Sequence, residues 1–448
     1  MIPALLAYGA AVLLVGLFAA RRASRSPEAF LLGDRSFGLL ATWAALTSTT
    51  IGGSTTLVLA ALVAARGLPG IWLDLSGALG LLALGLLLAR RIRETGEVTL
   101  SAVVGRFYGE RVRKIAAFLV VLAEIVWFAL LAQATEVVIT ALTDWDGTAV
   151  LVATAAVFVA YTSLGGQRAV VRTDILQLGL MLVGIVGVAL PLALASLSRT
   201  GWPQELLVFP VGPRFGWADA GALLILVGLP HAVGSDVWAK LLSARDATTA
   251  RRAAFGAAAA KLGFGAAVTV VALAGVALGV GGPPQALFPA TVRDLAGPLL
   301  SPLLLVALVA TMQSSADSVL LSAAAATSHD LLGGAPARTS RLLVVVYGAL
   351  GLAVALSMRD VLETFRLGYT VFASGLILPT VVAFAPRIQV RPGVAGAAML
   401  LGGGAAVAAR LSGWGPDPVL VGTAVNAIVL LTGLQRRTGG GRAFSRDR

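Results

Sequence analysis

Apolar runs of about 20 residues, separated by short polar or basic segments, follow one another along the chain, and a helix of that length spans a hydrocarbon core of about 30 Å. Thirteen spans are expected, over 2-20, 38-64, 70-89, 115-142, 148-164, 173-197, 218-242, 254-280, 298-327, 342-358, 362-385, 393-409 and 418-434. Continuous runs of this length exclude a membrane β-barrel, whose strands alternate lipid-facing and lumen-facing residues. The predicted fold class is all-α, a polytopic membrane protein. Residues 1-436 are expected to form one transmembrane domain, and 437-448 a short basic cytoplasmic tail.

Composition agrees: 58% of the 448 residues are hydrophobic and only 12% are charged, with a mean hydropathy of +0.90, which excludes a soluble multidomain protein. The absence of cysteine excludes disulfides and thiolate metal sites. A net charge of +12 raises the question of a nucleic-acid partner, and the placement of the basic residues answers it. With Met1 outside, 26 of the 34 lysines and arginines fall in segments on the inner side and six in segments on the outer side. That asymmetry is the positive-inside signature of topology, so no nucleic-acid partner is expected. It predicts a plasma (inner) membrane protein with an extracellular N-terminus and a cytoplasmic C-terminus. The first span has no basic residue ahead of it and positive charge just after it, which reads as a retained helix and not a cleaved signal.

Polar groups at membrane depth are costly and mark pathways or sites. The first such stretch, LTSTTIGGSTTLV (46-58), combines hydroxyls that compete for backbone partners with paired glycines, Gly52 and Gly53, that weaken a helix. It reads either as a small-residue packing face or as a helix break whose freed carbonyls hold a cation. The second, GLPHAVGSDVW (228-238), sets Pro230 between glycines and places His231 and Asp236 at membrane depth. The two interruptions fall in the second and seventh spans, five apart. This layout predicts two inverted five-helix repeats, about 38-197 and 218-385, with the site where the broken helices meet.

The third stretch, Thr311 to Ser322, puts Thr311, Ser314, Ser315, Ser318 and Ser322 on one helix face. Such a stripe suits a small hard cation that wants oxygen ligands, or else close helix packing. Between the fifth and sixth spans, Gly165-Gly166 makes a tight inner turn, and Asp174 enters the membrane beyond it as a functional carboxylate or as a partner of Arg172. Glu124, Glu136 and Lys261 are weaker signals, each a buried pair partner or a residue nearer an interface.

Four motifs in order carry a resemblance: LLGDRSFG (31-38), YTSLGGQRAVVRTDILQ (161-177), DVWAKLLSARDATTARR (236-252) and SSADSVLLSAAAATSHDL (314-331). The chain resembles the sodium:solute symporter family over nearly its whole length, which implies the leucine-transporter-type fold, two inverted five-helix repeats with extra flanking helices. The resemblance implies sodium bound by the carbonyls of Ser48, Ile51 and Thr311 and the hydroxyls of Ser314 and Ser315. It also implies a candidate second cation site at Asp174, Asp317 and Ser318, where Asp317 is a carboxylate in place of a hydroxyl. Thr50 stands where proline carriers have an acidic residue. Ala239-Lys240 replaces a Gln-Arg pair of many relatives.

The expected function is sodium-coupled import of a small organic solute (amino acid, sugar, carboxylate or similar) by alternating access. Sodium is the coupling ion and the only metal, no further cofactor is called for, and the partners are solute, ion and lipid bilayer. Solute contacts are expected from Thr49, Thr50, Gly52, Gly53, Trp127, Phe128, Gln133, His231 and Asp236, with Asp236 either facing solute or paired to Lys240. The rival readings are a proton-coupled carrier of the same fold, with Asp174, Asp317 and Glu124 as relay groups, and a transporter-like membrane sensor. Two histidines, no cysteine and no clustered ligand motif argue against an enzyme.

Overall fold

The computed structural model describes residues 1-23, 26-143, 145-413 and 417-436. The expected tail, 437-448, lies outside the described residues. Among the described residues, ten helical stretches are long and apolar enough to cross a membrane. An eleventh is the pair Leu39–Thr50 and Ser54–Arg66, bent by 53°. The chain is a multi-pass membrane protein.

Length and composition therefore recognise ten or eleven spans where thirteen were expected, for two physical reasons. Gly147–Thr200 runs for 54 residues without losing its apolar character, about 80 Å if it were straight at 1.5 Å per residue. It is not straight: Gly166, at φ 56° and ψ −158°, turns the chain between the expected fifth and sixth spans. A Cβ there would lie 2.6 Å from the Phe30 carbonyl oxygen, so the turn needs glycine for both its angle and its space. The other reason is Pro418–Thr432, whose 15 residues are too few for the full apolar thickness. A further departure from the all-helical expectation is a two-stranded antiparallel ribbon, Ile388–Val390 with Leu434–Arg436.

Charged residues near the ends of the membrane-length helices make two sets of contacts. Arg168 pairs with Asp34 at 2.5 Å, joining two of the sequence motifs, while Arg93 reaches the Ala244 carbonyl and Arg113 pairs with Asp330 at 2.8 Å. All three arginines come from segments expected on the inner side. From the segments expected outside, Arg66 bonds the Arg214 carbonyl, Arg293 the Ala141 carbonyl, and Arg359 pairs with Glu136.

Between these ends, the first broken helix packs against Ala247–Ala277, Gly147–Met181 and Leu287–Ala325. Leu287–Ala325, which turns at Gly297 (φ 60°), in turn packs along Glu110–Leu142. Most residues from 304 to 326 are buried, so the hydroxyl stripe lies inside the bundle.

Candidate solute and cation site

Leu39–Thr50 ends because its last turn offers competing partners. The Thr50 hydroxyl donates back to the Leu46 and Thr47 carbonyls at 3.0 and 3.1 Å, and Ile51 leaves helical angles at φ −108°, ψ 75°. Two glycines then let the break approach its neighbours. A Cβ on Gly52 would lie 2.7 Å from Ser315 Oγ, and one on Gly53 would lie 3.1 Å from Ala134 Cβ and 3.2 Å from Met312 Sδ.

That approach brings the hydroxyl stripe to the break. Ser314 Oγ donates to the Ser48 carbonyl at 2.9 Å, and Ser315 Oγ to the Thr49 carbonyl at 2.8 Å. Both serines also lie 3.4 Å from the Thr311 carbonyl. Ser318 Oγ donates to the Ser314 carbonyl at 2.9 Å and stands 3.0 Å from Thr49 Oγ1. Ser48, Thr311, Ser314 and Ser315 thus form one buried cluster of neutral oxygens, with Ile51 on the break beside it. The donor set is all hard oxygen, as an alkali cation requires.

The second break is built from different residues. Leu229–Val233 stops at Gly234 (φ −57°, ψ 137°) and Ser235–Ser243 begins at once. Asp236 sits in the first turn of the new helix and accepts the Val237 amide at 2.8 Å, while the preceding Ser235 hydroxyl donates to Glu124 Oε1. The two breaks face each other across a cavity of about 90 Å³, closed on a third side by Trp127, Tyr369 and Phe372. The Trp127 and Tyr369 rings meet edge to face, with centroids 5.0 Å apart and planes at 87°. The residues lining this cavity include two carboxylates, Glu124 and Asp236, and no lysine or arginine.

Of the expected solute contacts, Thr49, Thr50, Gly52, Gly53, Trp127, His231 and Asp236 line this one cavity. Phe128 and Gln133 do not. Phe128 is fully buried against Gly351 on another helix. The Gln133 amide donates to the Ala355 and Met358 carbonyls and lines a separate cavity beside Glu136 and Arg359. The reason is helical geometry: Trp127, Leu130, Leu131 and Ala134 point toward the break, and positions one and six residues from Trp127 point elsewhere.

Lys240 pairs not with Asp236 but with Asp174, at 3.1 Å with both side chains buried. Asp174 accordingly is no partner of Arg172. The candidate second cation residues each have a different partner: Asp174 has Lys240, Asp317 accepts from Thr162 Oγ1 at 3.0 Å, and Ser318 is held by Thr49 and Ser314. A lysine ammonium thus lies against the first carboxylate of the expected ligand set. The three weaker carboxylate and lysine signals separate: Glu124 lines the cavity, Glu136 lies near an end with Arg359, and Lys261 pairs with Asp74.

Tyr369 and Phe372 were missed. Their signal was the aromatic spacing Phe365, Tyr369, Phe372 at i, i+4, i+7, which puts three rings on one helix face. The centroids of Phe365 and Tyr369 are 5.0 Å apart.

Two interrupted helices meet a buried hydroxyl stripe inside a many-helix bundle, the arrangement of the leucine-transporter-type fold. A Na+-coupled sialic acid symporter, solved in a substrate-bound outward-open state, superposes with a TM-score of 0.80 at 16% identity, over 97% of this chain and 99% of that one. Residues 30–201, which include two of the four sequence motifs, match the model of the sodium:solute symporter family. Similar curated proteins are transporters, not enzymes. High-affinity choline transporter 1 of Torpedo marmorata is 29% identical over 71% of this chain, and that of Homo sapiens 26% over 78%. The matches span 60% and 66% of the length of those two relatives.

Proposed function

We propose that the chain is a sodium-coupled symporter that imports a small organic cation of the quaternary-ammonium class, choline or a close analogue, by alternating access. The observation that carries this reading is the lining of the central cavity: Glu124 and Asp236 with three aromatic rings, and no lysine or arginine. A desolvated cation over an aromatic face gains about 2 kcal/mol, and a carboxylate supplies the counter-charge that an apolar site otherwise lacks. The choline transporters among the relatives agree with this chemistry.

Sodium binds at the carbonyls of Ser48, Ile51 and Thr311 and the hydroxyls of Ser314 and Ser315. On ion binding, each hydroxyl turns its proton away from the carbonyl it now meets and offers a lone pair. Because Ser315 and Thr49 belong to both the oxygen cluster and the cavity wall, ion and solute favour the same closed arrangement, and each raises the affinity of the other by an equal factor. Two inverted repeats joined at the breaks, with Gly166 turning between two crossings and Pro418–Thr432 as a short final one, make thirteen crossings. The two sets of arginine contacts then mark the cytoplasmic and extracellular ends.

The test is a thermal-stability panel on the purified protein with choline, betaine, proline, glucose and lactate, each in sodium and in potassium. Choline should raise the apparent melting temperature, more in sodium than in potassium. Stabilisation by lactate or glucose alone would overturn the solute class, and equal effects in both salts would overturn the coupling.

A further inference from the structure

Lys261 carries a positive charge into the bundle interior, its side chain only 1% exposed, and lies outside the oxygen cluster that holds the proposed sodium. Its Nζ stands 2.8 Å from the Thr50 carbonyl, 2.9 Å from Thr55 Oγ1 and 3.0 Å from Asp74 Oδ1. An ammonium has three donors, and each meets one oxygen. The Thr55 hydroxyl donates onward to Asp74 Oδ1 at 3.0 Å, closing the ring.

These partners come from separate segments. Thr50 ends the first half of the broken helix, Thr55 lies just after the break, and Asp74 belongs to Trp72–Ala83, while the lysine itself comes from Ala247–Ala277. The Thr50 carbonyl is available because the chain departs from helical angles at Ile51. Trp72–Ala83 makes room for the ammonium with Gly77, where a Cβ would lie 2.4 Å from Lys261 Cε.

A carbonyl, a hydroxyl and a carboxylate converging on one positive centre are the donor types that hold a sodium ion. Here the cation is covalently attached to the protein. On the symport reading above, we infer that the Lys261 ammonium is a tethered cation occupying the place of a second coupling ion at the first break, so that the carrier binds one sodium per solute. The fixed charge keeps Thr50, Thr55 and Asp74 assembled when the sodium leaves the cluster on the opposite side of the break. Asp174, the other buried carboxylate that a second ion would use, is already matched by Lys240. The chain thus supplies from its own lysines the charges that would otherwise come from solution.

The test measures sodium dependence in three full-length proteins: wild type, Lys261→Ala, and the neutralised pair Asp74→Asn with Lys261→Met. Apparent stability is followed against sodium at constant ionic strength with potassium, alongside the sodium-to-solute ratio from reversal of choline flux in proteoliposomes. Wild type is expected to show a Hill coefficient near one and a ratio of one. Lys261→Ala exposes the Asp74 oxygen set to solution ions, so its coefficient should rise toward two, and its stability at low sodium should fall and be recovered by sodium. The neutralised pair should return to a coefficient near one.

A wild-type ratio of two overturns the inference even if Lys261→Ala does not fold. So does a Lys261→Ala isotherm that matches wild type, or a neutralised pair with a coefficient near two. Absence of any sodium response in wild type instead refutes the symport reading on which the inference rests.

Discussion

Ser314 Oγ donates to the Ser48 carbonyl at 2.9 Å, joining residues 266 positions apart across the first helix break. This one bond places a side chain of the buried stripe against a carbonyl at the end of the helix, where neither element alone holds enough oxygens for an ion. Removing the hydroxyls removes two of the proposed sodium ligands and leaves the carbonyls. The double variant Ser314→Ala with Ser315→Ala should therefore fold yet need at least 10-fold more sodium for half-maximal stabilisation, since two lost polar contacts of about 1 kcal/mol each exceed the 1.4 kcal/mol of a tenfold change. A sodium titration of melting temperature checks this, and an unchanged midpoint removes the cluster from the ion site.

Gly52 is required by space. A methyl group there meets Ser315 Oγ at 2.7 Å, and overpacking of this kind costs about 1–3 kcal/mol. Gly52→Ala should lower both thermal stability and sodium affinity, because relief of the clash moves Ser315 away from Thr49. Gly179, a helical position where nothing lies within 4 Å of an added Cβ, is the control: Gly179→Ala should lower neither.

The cavity wall predicts solute selectivity. Trp127→Ala should raise the half-saturating choline concentration about 10-fold or more, in line with the cation–π gain of a desolvated ring. Its effect on a neutral isostere of choline, in which carbon replaces the ammonium nitrogen, should be much smaller. Asp236→Asn should weaken choline binding likewise. Competition measurements with the charged and neutral analogues distinguish charge recognition from general loss of the pocket.

The Lys240–Asp174 pair makes a separate stability prediction. Removing one member of a buried ion pair leaves an uncompensated charge and costs about 3–5 kcal/mol, whereas replacing both is often close to neutral. Lys240→Met should lower the melting temperature strongly, and adding Asp174→Asn should restore most of the loss. The double-mutant cycle is read by thermal unfolding, and additive effects would place the two side chains out of contact.

What could be read from the sequence followed from local chemistry. Apolar run lengths located the spans to within a few residues, as in Trp217–Ser243 against an expected 218-242. The breaks were visible in Gly52-Gly53 and in Pro230 with Gly234, because glycine and proline act on the backbone where they stand. Partner choice was not local. The i, i+4 spacing of Asp236 and Lys240 suggested a pair, yet Lys240 turns to Asp174 on another helix, while Asp236 accepts the Val237 amide. Tyr369 meets Trp127 from 242 positions away, and Lys261 finds its three oxygens on three other segments, contacts that only the packed bundle creates.

On the proposed function, sodium moving down its gradient drives a small cation through the cavity between the two breaks. The most direct measurement is uptake of radiolabelled choline by proteoliposomes of the purified protein under an inward sodium gradient, with potassium and proton gradients as comparisons. Accumulation above equilibrium with sodium alone, lost in the Ser314→Ala with Ser315→Ala variant, is the predicted result. Equal accumulation driven by a proton gradient without sodium, or uptake of a carboxylate or sugar with none of any organic cation, would contradict it.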